Sequence, residues 1–230
     1  MLIFVDGRWP ATIRKNLSQY GTCVPFATKN IVYDAIAGHP DIFFCQQDNN
    51  LVVAPNLPEK YFKRLHEHQI NFIKGKLPVG NKYPATALYN AVVTQKYLIH
   101  NPLITDPVLQ KTFSEKETIP VKQGYVRCNL LPLHEDVFIT SDKGIEKALL
   151  DRGLEVHYFS PKGIRLPGYP HGFLGGCLGI HNRTVFVAGS MSHFAEGPKL
   201  AGWLQQRGYE TVELYNGIWQ DGGGIFFMPG

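Results

Sequence analysis

The chain has 230 residues, 44% hydrophobic, 12% aromatic and 18% charged, with a formal charge of +4. That apolar content excludes a disordered chain and is enough to bury a substantial core. The charge is local: Lys60, Lys63, Arg64, Lys74, Lys76 and Lys82 oppose only Glu59 and Glu67 across residues 59–82, which is the solvated face of one helix and its loop rather than the dense basic stripe of a nucleic-acid binder, so no nucleic-acid partner is expected.

In chain order, "LIFVD" reads as a strand, residues 10–21 as a helix and "TCVPFA" as a second strand. Residues 33–74 follow as strands over "DAIAGHPDIFFCQ" and "LVVAPN", a helix over "PEKYFKRLHEH" opened by Pro58, and "INFIK". Residues 83–122 repeat the order with "ALYNAVVTQ", "YLIHNP", a short helix near "DPVLQKTF" and "TIPVKQ". The clearest copy is residues 124–159. There a strand meets a turn at "HED", "VFIT" is a β-branched and aromatic strand, and Ser141 or Asp142 caps a helix whose apolar face is Ile145, Leu149 and Leu150. Gly153 ends that helix. Residues 172–215 repeat it again, from "GFLGGCLGI" through "HNR", "TVFVAGS" and a helix over 197–208 to "YETVELY". The last segment, "DGGGIFFMPG", supplies one strand and no helix.

Joined to the N-terminal strand, helix and strand, that last segment completes a fifth copy. The chain therefore reads as five ββαβ units of about 46 residues, closed into a ring by its two termini. Such units bury their helices only by stacking on neighbours, so a single domain over residues 1–230 is expected, helices outside and strands around a central channel.

Four cysteines, at 23, 45, 128 and 177, form no CxxC pair, and the N-terminus has neither a basic leader nor a long apolar run. A cytoplasmic protein with reduced thiols is expected, without a membrane segment, a metal or another cofactor. His66 and His68 fall in a helix at i and i+2, on different faces, and make no metal site.

The ring places the starts of the first strands around one mouth. The reactive residues there are Asp221 before three glycines, His39-Pro40-Asp41, Arg127-Cys128-Asn129 and Gly175-Gly176-Cys177, with little in the unit over 83–122. A thiol, an imidazole and two carboxylates are the inventory for nucleophilic catalysis by cysteine. Each also has a plainer reading. Cys128 fits a small apolar filler on a buried strand, His39 a turn residue before proline, and Asp221 a turn residue before glycine.

This arrangement resembles the guanidine-modifying, or pentein, superfamily of arginine and agmatine deiminases, dimethylarginine hydrolases and amidinotransferases, which share a five-bladed α/β propeller. Asp221-Gly222-Gly223 matches its acidic-Gly-Gly element, His39-Pro40-Asp41 its His-x-Asp, and Cys128 its nucleophile, in the same order round the ring. In the familiar enzymes the cysteine lies near the C-terminus; here it is internal, as though the ring were cut at another unit. The phrases "HPDIFF", "VKQGYVRCNLL", "ITSDKGI", "LPGY" and "GFLGG" are similar, more specifically, to an uncharacterised bacterial family assigned this fold.

The resemblance implies Cys128, His39 and Asp221 as catalytic residues, and Asp41, Arg127, Asn129 and Gly176 as positions contacting a small-molecule substrate. It implies hydrolysis or amidino transfer at a C–N bond of an amidine or guanidine, with Arg127 or a protonated His39 lowering the thiol pKa. One departure stands out: Gly176-Cys177 occupies the place of a second guanidinium-binding carboxylate. The same fold also serves as a ribosome anti-association factor. A binding module for RNA or a protein, using the patch at 59–82, and an enzyme that has lapsed into metabolite binding are the alternatives.

Overall fold

The computed structural model describes residues 1–229; Gly230, the end of the last predicted segment, lies outside them. The first unit opens with β1 (Leu2–Asp6), α1 (Ala11–Leu17) and β2 (Thr22–Phe26). The second has β3 (Phe44–Gln47), β4 (Asn50–Val53), α2 (Glu59–Glu67) and β5 (Ile73–Lys74). The third has β6 (Val92–Val93), β7 (Tyr97–His100), α3 (Pro107–Thr112) and β8 (Glu117–Pro120). The fourth starts with a single helical turn, α4 (Val126–Asn129), then β9 (Leu130–Pro132), β10 (Val137–Thr140), α5 (Lys143–Leu150) and β11 (Glu155–Tyr158). The fifth has β12 (Leu178–His181), β13 (Thr184–Val187), α6 (Gly197–Gln206) and β14 (Glu210–Glu213), and the chain ends on β15 (Phe226–Met228).

Each unit is a three-stranded sheet with one antiparallel and one parallel pair. The antiparallel pair needs only a tight turn, whereas the parallel pair needs a crossover, which the helix supplies. The ring closes as the termini predict: β15 pairs antiparallel with β1, Leu2 opposite Met228 and Phe4 opposite Phe226. The first strands β15, β3, β6, β9 and β12 stand around the channel, with β3 beside β6, β6 beside β9 and β12 beside β15. This is the five-bladed α/β propeller that the repeat count and the resemblance lead one to expect.

The helices lie outside and bury one face each. In α2 that face is Tyr61, Phe62 and Leu65; in α5 it is Ile145 and Leu149, four residues apart. Asp142 caps α5 by accepting from the Ile145 N–H at 2.8 Å, and Gly153 follows in the left-handed conformation at φ 71°. Ser141, the other expected cap, is buried and instead donates to Asn129 Oδ1.

The first strands are shorter than their sequence pattern suggests. Residues 34–46 and 172–180 hold 3-10 turns at Asp34–Ile36, Pro40–Ile42 and Gly175–Cys177 before β3 and β12 begin, and α4 interrupts the strand expected through Cys128. Apolar content alone does not separate a buried strand from a buried helical turn. Pro40, lacking an N–H and fixed in φ, opens one of these turns, and the Phe43 N–H closes it on the Pro40 carbonyl at 2.9 Å. These turns bend the chain into the channel mouth, and they carry the reactive residues.

Candidate active site

His39 stands at the N-cap of the Pro40–Ile42 turn, and Asp41 lies within it. Cys128 is in α4, Gly176 in the Gly175–Cys177 turn, and Asp221 precedes β15. Cys128, Gly176 and one further residue, Asn90, each sit two positions before the first strand of their unit. The ring therefore delivers one turn residue from every unit to the same mouth.

Cys128, His39, Asp41 and Asp221 meet there, all at 4% exposure or less. The Cys128 thiol donates to Asp41 Oδ2 at 2.6 Å. A ring nitrogen of His39, a carboxylate oxygen of Asp41 and the Cys128 sulfur lie within 4.8 Å of one another. His39 Nδ1 is 3.9 Å from Asp221 Oδ1 and 4.0 Å from Asp41 Oδ1, and Nε2 is 4.0 Å from Asp6 Oδ2. Neither His39 nitrogen nor Asp41 Oδ1 has a hydrogen-bond partner. Buried polar atoms are almost always paired, so three orphans grouped around the Cys128 thiol mark a place for a ligand.

Burial dominates the electrostatics. It lowers the His39 pKa below the ordinary imidazole value, against the opposing pull of Asp221 and Asp6. It raises Asp41 to about 6, partly offset by the thiol hydrogen bond. Asp221 is raised by burial and by Asp41, although His39 and the N–H groups of Gly223 and Phe173 favour its charge. The Cys128 thiol is pushed well above its ordinary value by burial and by the charges of Asp41 and Asp221. The expected lowering by Arg127 is present but smaller, and burial disfavours a charged His39, so Cys128 rests as a protonated thiol.

The glycines explain the fit. Gly223 and Gly224 have φ of 73° and 81°, and a Cβ on Gly223 would stand 2.5 Å from Asp41 Oδ1 and 2.6 Å from the His39 Cβ. The Gly223 and Phe173 N–H groups donate to Asp221 at 3.1 and 2.8 Å and fix its carboxylate. A Cβ at Gly176 would collide with Asp221 Oδ1, so this carboxylate fills the place where a second acidic side chain is expected.

None of the four expected substrate contacts, Asp41, Arg127, Asn129 and Gly176, lines the pocket over Cys128, although Asp41 accepts from its thiol, and Arg127 and Asn129 point elsewhere. Arg127 directs its guanidinium away from the thiol, donating to the carbonyls of Gly175 at 2.9 Å and Leu178 at 3.2 Å, and lines a different cavity. Asn129 donates to the Tyr125 carbonyl at 2.9 Å and accepts from Ser141, and it does not line the pocket over Cys128.

Two residues join the site unforeseen. Asp6, at the end of β1, is buried and ion-paired with Arg8 at 2.5 Å. Asn90 accepts from the backbone N–H groups of Arg127 at 2.7 Å and Cys128 at 3.3 Å, and donates to the Asp41 carbonyl at 3.3 Å. It thereby ties the Cys128 turn to the His39-Asp41 turn. A polar residue amid an apolar run, in "LYNAVV", is the signal that marks it. His39, Asp41 and Cys128 are also the group of three that would suit a metal ion among the described residues.

Comparison with known proteins places this geometry. The model of a family described as "Family of unknown function (DUF6873)" matches residues 4–226. No curated protein matches the chain. Among solved structures, an amidinotransferase from Microseira wollei is similar at 10% identity and a TM-score of 0.55, over 96% of this chain and 89% of that one. The agmatine deiminase of C. jejuni is similar at 8% identity and a TM-score of 0.57, over 87% and 73%. An inosamine-phosphate amidinotransferase of Streptomyces griseus is similar at 11% identity and a TM-score of 0.52, over 94% and 78%. All have the pentein fold, and at this identity the likeness concerns the fold.

Proposed function

We propose that this chain, which belongs to the family of unknown function DUF6873, is a cysteine-dependent hydrolase or transferase acting on a C–N bond of a small amidine or guanidine. The observation that carries the reading is the convergence of Cys128, His39, Asp41 and Asp221 on one buried floor from three different units. The activities of the fold neighbours are consistent with it.

The electrostatics suit a reaction that the substrate itself starts. A planar amidinium brings its charge to Asp41 and Asp221, whose acceptor oxygens match its N–H groups. As the cation enters, Asp41 releases the thiol hydrogen bond, and the thiol proton passes to His39, where Asp6, Asp41 and Asp221 stabilise the imidazolium. The thiolate attacks the amidinium carbon and an S–C bond forms. The C–N bond then breaks as His39 returns the proton to the departing amine. Water, deprotonated by His39, attacks the thioimidate carbon, the C–S bond breaks and the thiol is restored. An amidine plus water becomes an amide plus ammonia or an amine; an amine in place of water gives amidino transfer. The test is ammonia release from a panel of small amidines and guanidines. Release that is lost in Cys128→Ser supports the reading, whereas release unchanged in that variant, or no release from any compound, removes it.

A second reading is binding without turnover. The protonated thiol and the closed position at Gly176 favour it. It predicts thermal stabilisation by the same compounds with no product. The patch at 59–82 gives less support to a nucleic-acid role: Lys74 lies 4.3 Å over the Phe62 ring, Lys60 lies 4.7 Å over Tyr61, and Arg64 pairs with Glu67.

A further inference from the structure

Above the reactive floor the pocket changes character. Its cavity of about 190 Å³ is walled by Tyr33, Ile36, Tyr125, Leu166, Tyr169 and Phe173, and no lysine or arginine is among its lining residues. The tyrosine hydroxyls are turned to one another and to the protein: Tyr33 Oη meets Tyr125 Oη at 3.3 Å, and Tyr125 Oη meets Thr86 Oγ1 at 2.6 Å. The Tyr33 and Tyr169 ring centroids lie 6.2 Å apart at the rim, where Tyr169 is 49% exposed. A ligand passing inward therefore meets ring faces and aliphatic groups first, and the Asp221 carboxylate only at the bottom.

We infer that the substrate is a small amidinium with a flat or aliphatic tail and no carboxylate, rather than a guanidino amino acid. This inference rests on the reading of the floor as an amidinium site. A carboxylate carried on the tail would lose its hydration between these walls with no lysine or arginine to replace it, and the one imidazole at the rim, His171, has its Nδ1 against the Gly172 carbonyl at 2.9 Å. An aryl or alkyl tail gains from the same walls, since aromatic pairs are favourable beyond the area they bury. Size agrees, because a cavity of about 190 Å³ falls below the roughly 300–1,000 Å³ that drug-sized ligands occupy.

Calorimetric titration of the full chain with benzamidine, propylguanidine and L-arginine tests this. Benzamidine is expected to bind roughly tenfold or more tightly than L-arginine. Tyr169→Ala, a change at an exposed rim residue that leaves the core intact, should weaken benzamidine roughly three- to tenfold and leave the unsubstituted guanidinium ion unaffected. Leu166→Arg supplies the missing cation and should narrow the gap between benzamidine and arginine. Arginine binding as tightly as benzamidine to the natural chain overturns the inference, and so does the absence of binding by any of the three. The two readings fail separately. Selective benzamidine binding with no turnover of any amidine leaves the inference standing and removes the enzyme. Turnover that prefers arginine does the reverse.

Discussion

At one end of the channel a cavity of about 190 Å³ closes on Cys128, His39 and Asp221; at the other, a cavity of about 630 Å³ is walled by the turns that leave the first strands. The larger one is rich in polar side chains, and many of these are paired off. Asp48 accepts from Gln47 and Gln95, Thr94 donates to Asp136 at 3.1 Å, and His134 Nδ1 meets Tyr209 Oη at 2.8 Å. In the smaller one both His39 ring nitrogens are left without partners, as is Asp41 Oδ1 beside it. Arg127 and Cys128, adjacent in sequence, line the two cavities separately, with the Arg127 guanidinium over the Phe226 ring at 5.4 Å on the larger side. Unspent hydrogen-bonding capacity, and not volume, distinguishes the end that holds Cys128.

Substitutions at the two ends should therefore differ in kind. On the reactive side, His39→Asn keeps the size of the side chain and removes its proton transfer, and amidine turnover should fall by about 10²–10⁴-fold in steady-state assays. A loss under tenfold would show that His39 is a turn residue only.

Next in size is the effect of Asp41 on stability. Its folded pKa of about 6 lies above the ordinary value of 3.8 because burial favours the protonated form. Its contribution to stability is therefore fully present below about pH 4 and lost as pH rises through about 6. Asp41→Asn removes that penalty. In urea denaturation the variant should gain on the natural chain between pH 4 and pH 8, by about 3 kcal/mol. A gap independent of pH would place the carboxylate in a less buried setting.

Asn90→Ala should cost about 1–3 kcal/mol, because it leaves the buried N–H groups of Arg127 and Cys128 without an acceptor. It should also slow turnover more than a stability change alone explains, since the nucleophile's turn loses its tie to Asp41. At the larger mouth, Gln95→Ala should change turnover by less than about twofold, as expected of an exposed side chain far from the reacting atoms. A large effect there would join the two ends functionally and break the contrast.

Much of this was legible in the residues. The 46-residue period, the switch from strand to helical patterning, the cap at Asp142 and the stop at Gly153 all correspond to observed elements. The pairing of "IFFM" with "LIFV" follows from counting units. His39, Asp41, Cys128 and Asp221 were recognisable as reactive types at equivalent places. The helical turns before the first strands were not, because an apolar run such as "VRCNLL" fits either state and only the ring's curvature chooses. Asp6 was hidden for a related reason, and Asn90 showed only as a polar residue in an apolar run, with nothing to say what it binds. Their neighbours in the chain are strand-like, and their role lies in contacts with other units. The direction of Arg127 was also beyond the sequence, since adjacent residues on one turn leave it at different angles. The high thiol pKa follows from burial, a property of the assembled ring. Among the described residues no helix is long and apolar enough to cross a membrane.

The central claim is that Cys128 is a nucleophile called up by a cationic substrate, and alkylation tests it most directly. The natural chain would be treated at neutral pH with iodoacetamide, which is uncharged, or with 2-chloroacetamidine, which carries an amidinium, and the labelled thiol identified by mass spectrometry. Burial and the raised thiol pKa predict slow labelling of Cys128 by iodoacetamide. The acidic floor predicts that 2-chloroacetamidine modifies Cys128 stoichiometrically and about 100-fold faster than iodoacetamide does, with His39→Asn abolishing most of that advantage. Equal rates for the two reagents, or preferential labelling of the half-buried Cys23, would contradict it.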